Sequence, residues 1–237
     1  MKALILVDIQ NDFLPGGAFA VKNGDEILPI IEKLVSLPFD IIVATQDWHP
    51  ADHGSFAVNH GKKVGEKTQL GGIEQILWPA HCIQDTLGAA LSPGLDKKKI
   101  DQVFFKGTDK MIDSYSTFFD NSHQKSTGLD EYLRKYGVNE IYLAGLATDY
   151  CVKYSALDAL ELGFVVHVIV DACRGINLQP ADTKNALNEM KTAGAKLTTS
   201  KEIFGVAGFE PTTSSSRTKR ASQTAPHPDP EDLDNSI

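Results

Sequence analysis

The sequence predicts an α/β fold, a three-layer αβα sandwich built on a six-stranded, mainly parallel sheet. Two observations carry this prediction. Strand-like and helix-like patterns alternate from residue 2 to about residue 204, and the strand-like runs are continuously apolar, as strands covered on both faces should be. The chain has 237 residues, of which 42% are hydrophobic, so it is long enough to bury one sizeable core. We therefore expect one domain over residues 1–204.

The predicted elements follow one another in a regular order. The opening strand, 3–7 (ALILV), is wholly apolar and ends at Asp8. The next segment, 24–37, carries Ile27, Ile31 and Leu34 at helical spacing and predicts a helix. The remaining predicted strands are 40–45, 103–105, 140–145, 164–170 and 195–199, and the remaining predicted helices are 129–136, 149–162 and 180–193.

Two segments depart from this alternation. Residues 46–102 form a long stretch rich in Gly, His, Pro and Asp, which contains four of the seven histidines. Because irregular stretches of that length inside a compact domain are usually functional or disordered, we interpret this one as functional.

Residues 205–237 are dense in Ser, Thr, Pro and charged residues, with few apolar side chains to bury. We expect them to form a disordered tail.

Composition excludes several classes of protein. The chain has 23 Lys and Arg against 31 Asp and Glu, a formal net charge of −8, which argues against a nucleic-acid partner. No apolar run approaches the roughly 20 residues that a membrane span needs, and an acid already at position eight argues against a secretory signal. The three cysteines are odd in number and widely spaced, as expected of reduced thiols. These features predict a cytoplasmic protein without a membrane partner.

Three reactive groups are predicted at the carboxyl ends of strands, where open α/β sheets bind their ligands. Asp8 follows the first strand, Lys106 follows the third, and Cys151 follows the fourth at the start of a helix. Together they make a nucleophile with a base and a cationic neighbour. A helix N-terminus and an ammonium group predict a lowered thiol pKa for Cys151. Taken singly, each has a simpler interpretation: Asp8 as a turn or cap residue, Lys106 as a surface charge and Cys151 as a small buried residue.

A second constellation has the residue types of a metal site. Asp47 and His49 are two apart in an extended segment, so their side chains point to the same side, and His81 from a distant loop completes the set. Two imidazoles and one carboxylate suit Zn, Fe or Mn, and three protein ligands leave positions open, as in catalytic sites. His53 is a fourth ligand or a neighbouring partner. The alternative is that these are loop histidines in solvent. His60 and His123 receive no role.

Five motifs give the chain a specific family resemblance. They are DIQNDFLPGG at 8–17, TQDWHPADHGSF at 45–56, WPAHC at 78–82, FKGTD at 105–109 and GLATDYCV at 145–152. With these motifs, residues 1–204 resemble the nicotinamidase and pyrazinamidase branch of the isochorismatase-like cysteine hydrolase family. The resemblance implies a Rossmann-like topology and an amidohydrolase that converts nicotinamide to nicotinate and ammonia in NAD salvage.

The resemblance also implies roles for individual residues. Asp8, Lys106 and Cys151 would form the catalytic triad, and the backbone N–H groups of Ala147 and Cys151 would bind the oxyanion, with a cis peptide bond before Ala147. The remaining implied site residues are Asp47, His49 and His81, which would hold one divalent metal ion, and Phe13, Trp78 and Tyr115, which would surround the substrate ring.

Three other interpretations are compatible with parts of the sequence. One is a related amide hydrolase of the same fold that acts on another small substrate. Another is a non-catalytic module that binds a small aromatic ligand, and a third is a protein that acts through its tail on a macromolecule. A homo-oligomer is compatible with the family. The nicotinamide hydrolase accounts for both reactive constellations at once, so it is the function that we expect.

Overall fold

The computed structural model describes residues 1–205, which fold around a six-stranded sheet with helices on both faces, and it confirms the predicted fold class. The strands are β1 (Lys2–Val7), β2 (Ile41–Asp47), β3 (Lys67–Leu70), β4 (Ile73–Ile76), β5 (Gln102–Lys106), β6 (Glu140–Leu146), β7 (Val165–Arg174) and β8 (Lys196–Thr198). The helices are α1 (Leu28–Leu34), α2 (Leu129–Lys135), α3 (Lys153–Glu161), α4 (Asp182–Ala193) and α5 (Ser200–Phe204).

The strand order of the main sheet is β5-β2-β1-β6-β7-β8, and all neighbouring strands are parallel. From β1 the chain first builds outward through β2 and β5, then crosses back to β6 on the other side of β1. The order therefore reverses between β1 and β6. In open α/β sheets such a reversal leaves a crevice at the carboxyl ends of the strands, which is where ligands bind.

The two faces of the sheet bury alternate residues of each strand. On β1, Leu4 and Leu6 belong to the apolar cluster that contains α1 and α5, whereas Ala3, Ile5 and Val7 belong to the cluster that contains α2, α3 and α4. All five side chains are fully buried. Because successive side chains of a strand point to opposite faces, a strand covered on both sides must be apolar throughout. This explains the uninterrupted ALILV run.

The helices differ in detail from the sequence-based prediction. Segment 24–37 begins as a 3-10 helix, Gly24–Ile27, and continues as the short α1 with a proline in its first turn, which suits a helix start. Segment 149–162 begins with a π-helical turn, Thr148–Val152, before α3. The prediction missed α5, although Thr199 and Glu202 form a capping box at its start.

The long irregular segment contains a hairpin that the prediction also missed. Strands β3 and β4 pair antiparallel across Gly71 and Gly72, whose φ angles are +57° and +84°. Two consecutive residues with positive φ are what a two-residue type I′ hairpin requires, and glycine adopts them without a side-chain clash. The turn signal was present in the sequence as Gly-Gly between Leu70 and Ile73. The hairpin leads directly into Trp78 and His81.

The carboxyl-terminal tail predicted for residues 205–237 lies outside the described residues, apart from Gly205. Within residues 1–205, none of the helices combines the length and the apolar character that crossing a membrane demands.

Gly145, near the end of β6, should not tolerate a side chain. Its φ is +136°, and an added Cβ would lie 2.1 Å from the carbonyl oxygen of Val7 on the neighbouring strand. Gly163 is a matched control, because its φ is +85° and nothing lies within 4 Å of its Cβ position. We expect Gly145→Ala to lower the free energy of unfolding by about 1–3 kcal/mol more than Gly163→Ala, since it adds overpacking to the backbone penalty. Urea denaturation measures both, and equal losses would contradict the close approach of β6 to β1.

Candidate active site

Four reactive side chains come together at the crevice between β1 and β6. Asp8 follows β1, Asp47 ends β2, Lys106 ends β5, and Cys151 lies in the π-helical turn after β6. The register of β2 and β5 pairs Asp47 directly with Lys106. Because all the strands are parallel, their carboxyl ends lie at one edge of the sheet, and residues far apart in sequence become neighbours there.

The ammonium group of Lys106 is the centre of this cluster. It is fully buried, forms an ion pair with Asp8 Oδ2 at 2.9 Å and donates to Asp47 Oδ1. It also donates to the carbonyl oxygen of Ser114 at 2.9 Å and lies 3.4 Å from Cys151 Sγ. A buried cation is stable only when charged and polar partners replace its water shell, and here one ammonium faces two acids and a thiol.

Two charges of the cluster are fixed by this arrangement. Burial alone would lower the pKa of Lys106, but Asp47 and Asp8 outweigh it and hold that pKa well above its usual range. Burial alone would raise the pKa of Asp47, but Lys106 and His49 outweigh it and hold that pKa well below its usual range. Lys106 therefore stays protonated and Asp47 stays ionised throughout the physiological pH range.

Asp8 and Cys151 share the remaining proton. Burial raises the pKa of Asp8, and Lys106 offsets part of that effect. Burial also raises the pKa of the Cys151 thiol well above its usual range, against the lowering effect of Lys106. The predicted lowering of the thiol pKa was therefore wrong, because the sulfur is desolvated and faces the carboxylates of Asp8 and Asp47 as well as the ammonium group. At rest the thiol is neutral.

Neighbouring hydroxyl groups hold the carboxylate of Asp8 and the backbone of Cys151. The Thr45 hydroxyl donates to Asp8 Oδ1 at 2.6 Å and accepts from the Asp8 backbone N–H at 3.3 Å. Asp8 has a φ of +48°, in the left-handed region, so the chain turns sharply as it leaves β1. The Ser155 hydroxyl donates to the carbonyl oxygen of Cys151 at 2.5 Å and accepts from the Thr117 N–H at 2.9 Å.

Asp47, His49 and His81 form a compact buried group beside this cluster. His49 Nε2 lies 3.7 Å, and His81 Nε2 lies 3.8 Å, from Asp47 Oδ2. The other ring nitrogen of each histidine faces a backbone carbonyl, with Nδ1 of His49 2.8 Å from Gly107 O and Nδ1 of His81 2.7 Å from Pro79 O. A protonated Nδ1 donates to such a carbonyl, which leaves the lone pair of Nε2 free, as in histidines that bind metals.

These three residues fit a divalent metal ion. Around an ion with ligand bonds of about 2.0–2.1 Å, tetrahedral ligand atoms lie about 3.3–3.4 Å apart, close to the separations found here. All three side chains are buried, so the alternative of loop histidines in solvent does not hold for His49 and His81. Gly107 permits the arrangement, because an added Cβ would lie 2.3 Å from the His49 ring.

His53 lies against this group but is held differently. Its ring centroid is 4.4 Å from that of His49, and its Nδ1 is 2.7 Å from the hydroxyl of Ser55. Burial, with a further contribution from His49, lowers the pKa of His53 to about 4, so its ring is neutral. Its Nε2 is buried without a hydrogen-bond partner among the described residues. Whether it is a ligand or a neighbouring partner stays a prediction.

A small cavity, open at its mouth, lies above both groups. Its lining includes Phe13, Trp78 and Tyr115, the three aromatic residues predicted from the resemblance, and also Ala147 and Cys151. The hydroxyl of Tyr115 accepts from Trp78 Nε1 at 3.1 Å, which fixes both side chains. As predicted, the peptide bond between Leu146 and Ala147 is cis. The structure thus brings every predicted site residue to one place.

Sequence reasoning missed several residues of the cavity wall. Phe19, Asp113, Tyr150 and Ile176 also line it. Tyr150 directly precedes Cys151, so proximity to that motif could have indicated it. Ile176 comes from the loop after β7, where Asp149 accepts from the backbone N–H groups of Ile176 and Asn177, and no local pattern signals that contact.

The first motif also positions the two loops that carry the candidate metal ligands, which sequence reasoning did not predict. The side chain of Gln10 accepts from the Asp47 N–H at 2.8 Å and donates to the Asp47 carbonyl oxygen at 2.8 Å. Asp12 Oδ2 accepts from the N–H of Cys82 at 2.7 Å, next to His81. These two polar side chains therefore tie the loop after β1 to both parts of the metal-binding group.

Comparison with known proteins gives consistent matches. The isochorismatase domain profile matches residues 2–202. The nicotinamidase of Escherichia coli is 49% identical over 201 residues, which are 84% of this chain and 94% of that protein.

Solved structures agree with the sequence relatives. The nicotinamidase and pyrazinamidase of Acinetobacter baumanii superposes with a TM-score of 0.82 at 43% identity, covering 85% of this chain and 97% of the other. The pyrazinamidase of Pyrococcus horikoshii in complex with zinc superposes with a TM-score of 0.68 at 38% identity, covering 84% and 98%.

Lys106 should be essential for stability as well as for the site. Lys106→Met removes the only ammonium group that contacts both Asp8 and Asp47 in the described residues, and loss of one partner from a buried ion pair costs about 3–5 kcal/mol. Lys110→Met is the matched control, because the ion pair of Lys110 with Asp52 is exposed to solvent and contributes little to stability. Urea denaturation gives both values. A Lys106→Met protein as stable as Lys110→Met would show that the cluster does not depend on this cation.

Proposed function

The chain belongs to the isochorismatase family, and we propose that it is an amidohydrolase that converts nicotinamide to nicotinate and ammonia. The observation that carries the proposal is the cluster in which one buried ammonium group, on Lys106, touches Asp8, Asp47 and Cys151 below an aromatic cavity. The nicotinate product would re-enter NAD salvage.

The cavity suits a flat heteroaromatic amide. Phe13, Phe19 and Trp78 supply aromatic faces and edges, and Phe19 and Trp78 lie with ring centroids 5.3 Å apart. Contacts between aromatic rings in tilted or stacked geometry contribute about 0.5–1.5 kcal/mol each. Pyrazinamide has the same ring size and carboxamide as nicotinamide, so the proposal extends to it as a second substrate.

Cys151 is the nucleophile of the proposed reaction, and Asp8 is its base. As Sγ attacks the carbonyl carbon, the thiol proton passes to Asp8, whose raised pKa favours accepting it. The proton moves within one buried cluster, so the net charge of the cluster does not change. The new oxyanion is bound by the backbone N–H groups of Ala147 and Cys151, both of which line the cavity.

The second half of the proposed reaction reverses the role of Asp8. It returns its proton to the leaving nitrogen, ammonia departs, and a thioester remains on Cys151. Asp8 then removes a proton from a water molecule that attacks the thioester, and it passes that proton to the leaving sulfur, which restores the thiol. The released acid loses its own proton to solvent and leaves as nicotinate. Lys106 stabilises whichever member of the cluster carries the negative charge, because it contacts both Asp8 and Cys151.

Asp47, His49 and His81 would hold one divalent metal ion, for which their donor set suits Zn, Fe or Mn. A bound ion would supply a Lewis acid that accepts the ring nitrogen of the substrate. His81 also packs against Phe13 and Phe19, with ring centroids 5.4 Å and 4.9 Å away, so the same residue contributes to the aromatic wall. The proposed role of Asp47, His49, His81 and their metal ion is therefore to position the substrate. Positioning of this kind can account for several kcal/mol of barrier reduction.

Replacing the proposed nucleophile separates catalysis from binding. Cys151→Ala should lose ammonia release from nicotinamide by at least about 10³-fold, as expected when a covalent nucleophile is removed, while nicotinamide binding measured by calorimetry persists. Cys173→Ala is the matched control, because Cys173 is also a buried free thiol, on β7. If the unmodified protein binds nicotinamide as tightly as the Cys151→Ala protein and neither of them releases ammonia, the protein is a binding module instead.

Loss of the metal-binding group should raise KM more than it lowers kcat. His81→Ala removes one imidazole without breaking the ion pair between Asp47 and Lys106, so we expect the apparent KM for nicotinamide to rise at least about tenfold. His60→Ala is the control, because His60 is exposed and its Nε2 lies 2.8 Å from the carbonyl oxygen of Gly54, outside the metal-ligand group.

Chelation provides an independent measurement of the same role. Treatment with a chelator should abolish turnover, and a divalent metal should restore it. Full turnover by the metal-free protein would contradict substrate positioning by this group.

A further inference from the structure

A second group of potential metal ligands lies away from the proposed active site. His123 belongs to the loop between β5 and α2, and Asp158 and Glu161 lie one turn apart on α3. Each side chain offers one ligand atom, and these atoms all lie within 4.8 Å of one another. His123 and Glu161 are exposed, whereas Asp158 is only 6% exposed. The proposed hydrolysis uses none of the three.

The loop that carries His123 is held in a defined conformation. The carboxylate of Asp120 accepts from the backbone N–H groups of Ser122, Gln124 and Lys125 at 2.8–3.0 Å. His123 has a φ of +57°, and its ring stacks on Phe119 with centroids 5.2 Å apart. These contacts direct the imidazole toward α3, where its Nε2 lies 3.3 Å from Asp158 Oδ1.

The second oxygen of Asp158 is poorly satisfied. Oδ2 is sealed from solvent and makes no well-aligned hydrogen bond with the described residues. Burial raises the pKa of this carboxyl, and the Ser116 hydroxyl and His123 offset only part of that effect. A buried carboxylate oxygen without a well-placed donor destabilises the folded protein. The exposed carboxylate of Glu161 lies next to it on the same helix, which adds like-charge repulsion. A cation at this position would satisfy both carboxylates.

We propose that His123, Asp158 and Glu161 form a surface site for a divalent transition-metal ion of the Zn²⁺ class. The separation of 3.3 Å between His123 Nε2 and Asp158 Oδ1 matches the spacing of about 3.3–3.4 Å for ligands around a tetrahedral ion. An imidazole with two carboxylates favours Zn²⁺ or Mn²⁺ over Mg²⁺ or Ca²⁺, which prefer oxygen ligands only. The alternative is a direct ion pair between His123 and Asp158 with no metal ion.

An ion at this site would join the loop to the helix that follows the nucleophile. The same interface contains the hydrogen bonds from Thr117 N–H to Ser155 Oγ and from Ser155 Oγ to Cys151 O, at 2.9 Å and 2.5 Å. The site would therefore stabilise the folded protein in proportion to its occupancy, since a ligand that binds only the native state raises the melting temperature. This effect does not depend on the reaction that the protein catalyses.

Zinc stoichiometry tests the site directly. The full-length protein is stripped with a chelator, dialysed against Zn²⁺ and analysed for bound metal per chain. We expect His123→Gln and Glu161→Gln each to bind about one equivalent less than the unmodified protein. Both side chains are exposed, so neither change should prevent folding. Glu131→Gln, which alters an exposed glutamate on α2 outside the cluster, should bind as much as the unmodified protein.

A combined variant separates this site from the one in the crevice. His81→Ala should remove one equivalent of zinc, and His81→Ala with His123→Gln should remove two. The melting temperature of the His81→Ala protein should still rise with Zn²⁺, and that rise should disappear in the combined variant. If His123→Gln and Glu161→Gln bind as much zinc as the unmodified protein, the cluster is an ion pair and the proposal is wrong.

Discussion

The buried ammonium group of Lys106 is the constraint on which the site depends. A charge in the protein interior requires partners that replace water, and three strand ends supply them through Asp8, Asp47 and Cys151. Asp47 has a double function, because Oδ1 contacts Lys106 while Oδ2 faces the histidines His49 and His81. The carboxylate of Asp47 therefore links the proposed nucleophile, through Lys106, to the proposed metal ligands His49 and His81.

This coupling also explains how a desolvated thiol can react. Lys106 and Asp47 keep fixed opposite charges, so only one proton is free to move, between Cys151 and Asp8. Burial raises the pKa of both of these groups, which keeps the thiol neutral at rest and makes Asp8 a better proton acceptor than an exposed carboxylate. In the proposed reaction the nucleophile is therefore generated as it attacks, rather than stored as a thiolate.

The sequence predicted the parts of the site that follow from local pattern and topology. Apolar runs that stop at a charged residue locate Asp8 and Lys106, and a parallel sheet then requires them to meet. The contacts between distant chain segments that complete the site could not be predicted from the sequence. The hydrogen bonds of the Gln10 side chain to the Asp47 backbone and of the Asp149 side chain to the Ile176 backbone join segments distant in sequence. No periodic sequence pattern predicts them. The raised thiol pKa was missed because desolvation depends on packing around the sulfur.

The most direct test of the account is to detect the acyl group on Cys151. Turnover of nicotinamide is stopped with acid at short times, and the peptide containing Cys151 is examined by mass spectrometry. The account predicts a nicotinoyl thioester on this cysteine that forms during turnover and decays as substrate is exhausted, and none on Cys82 or Cys173. Sustained ammonia release without acylated Cys151 at any time would contradict covalent catalysis by this residue.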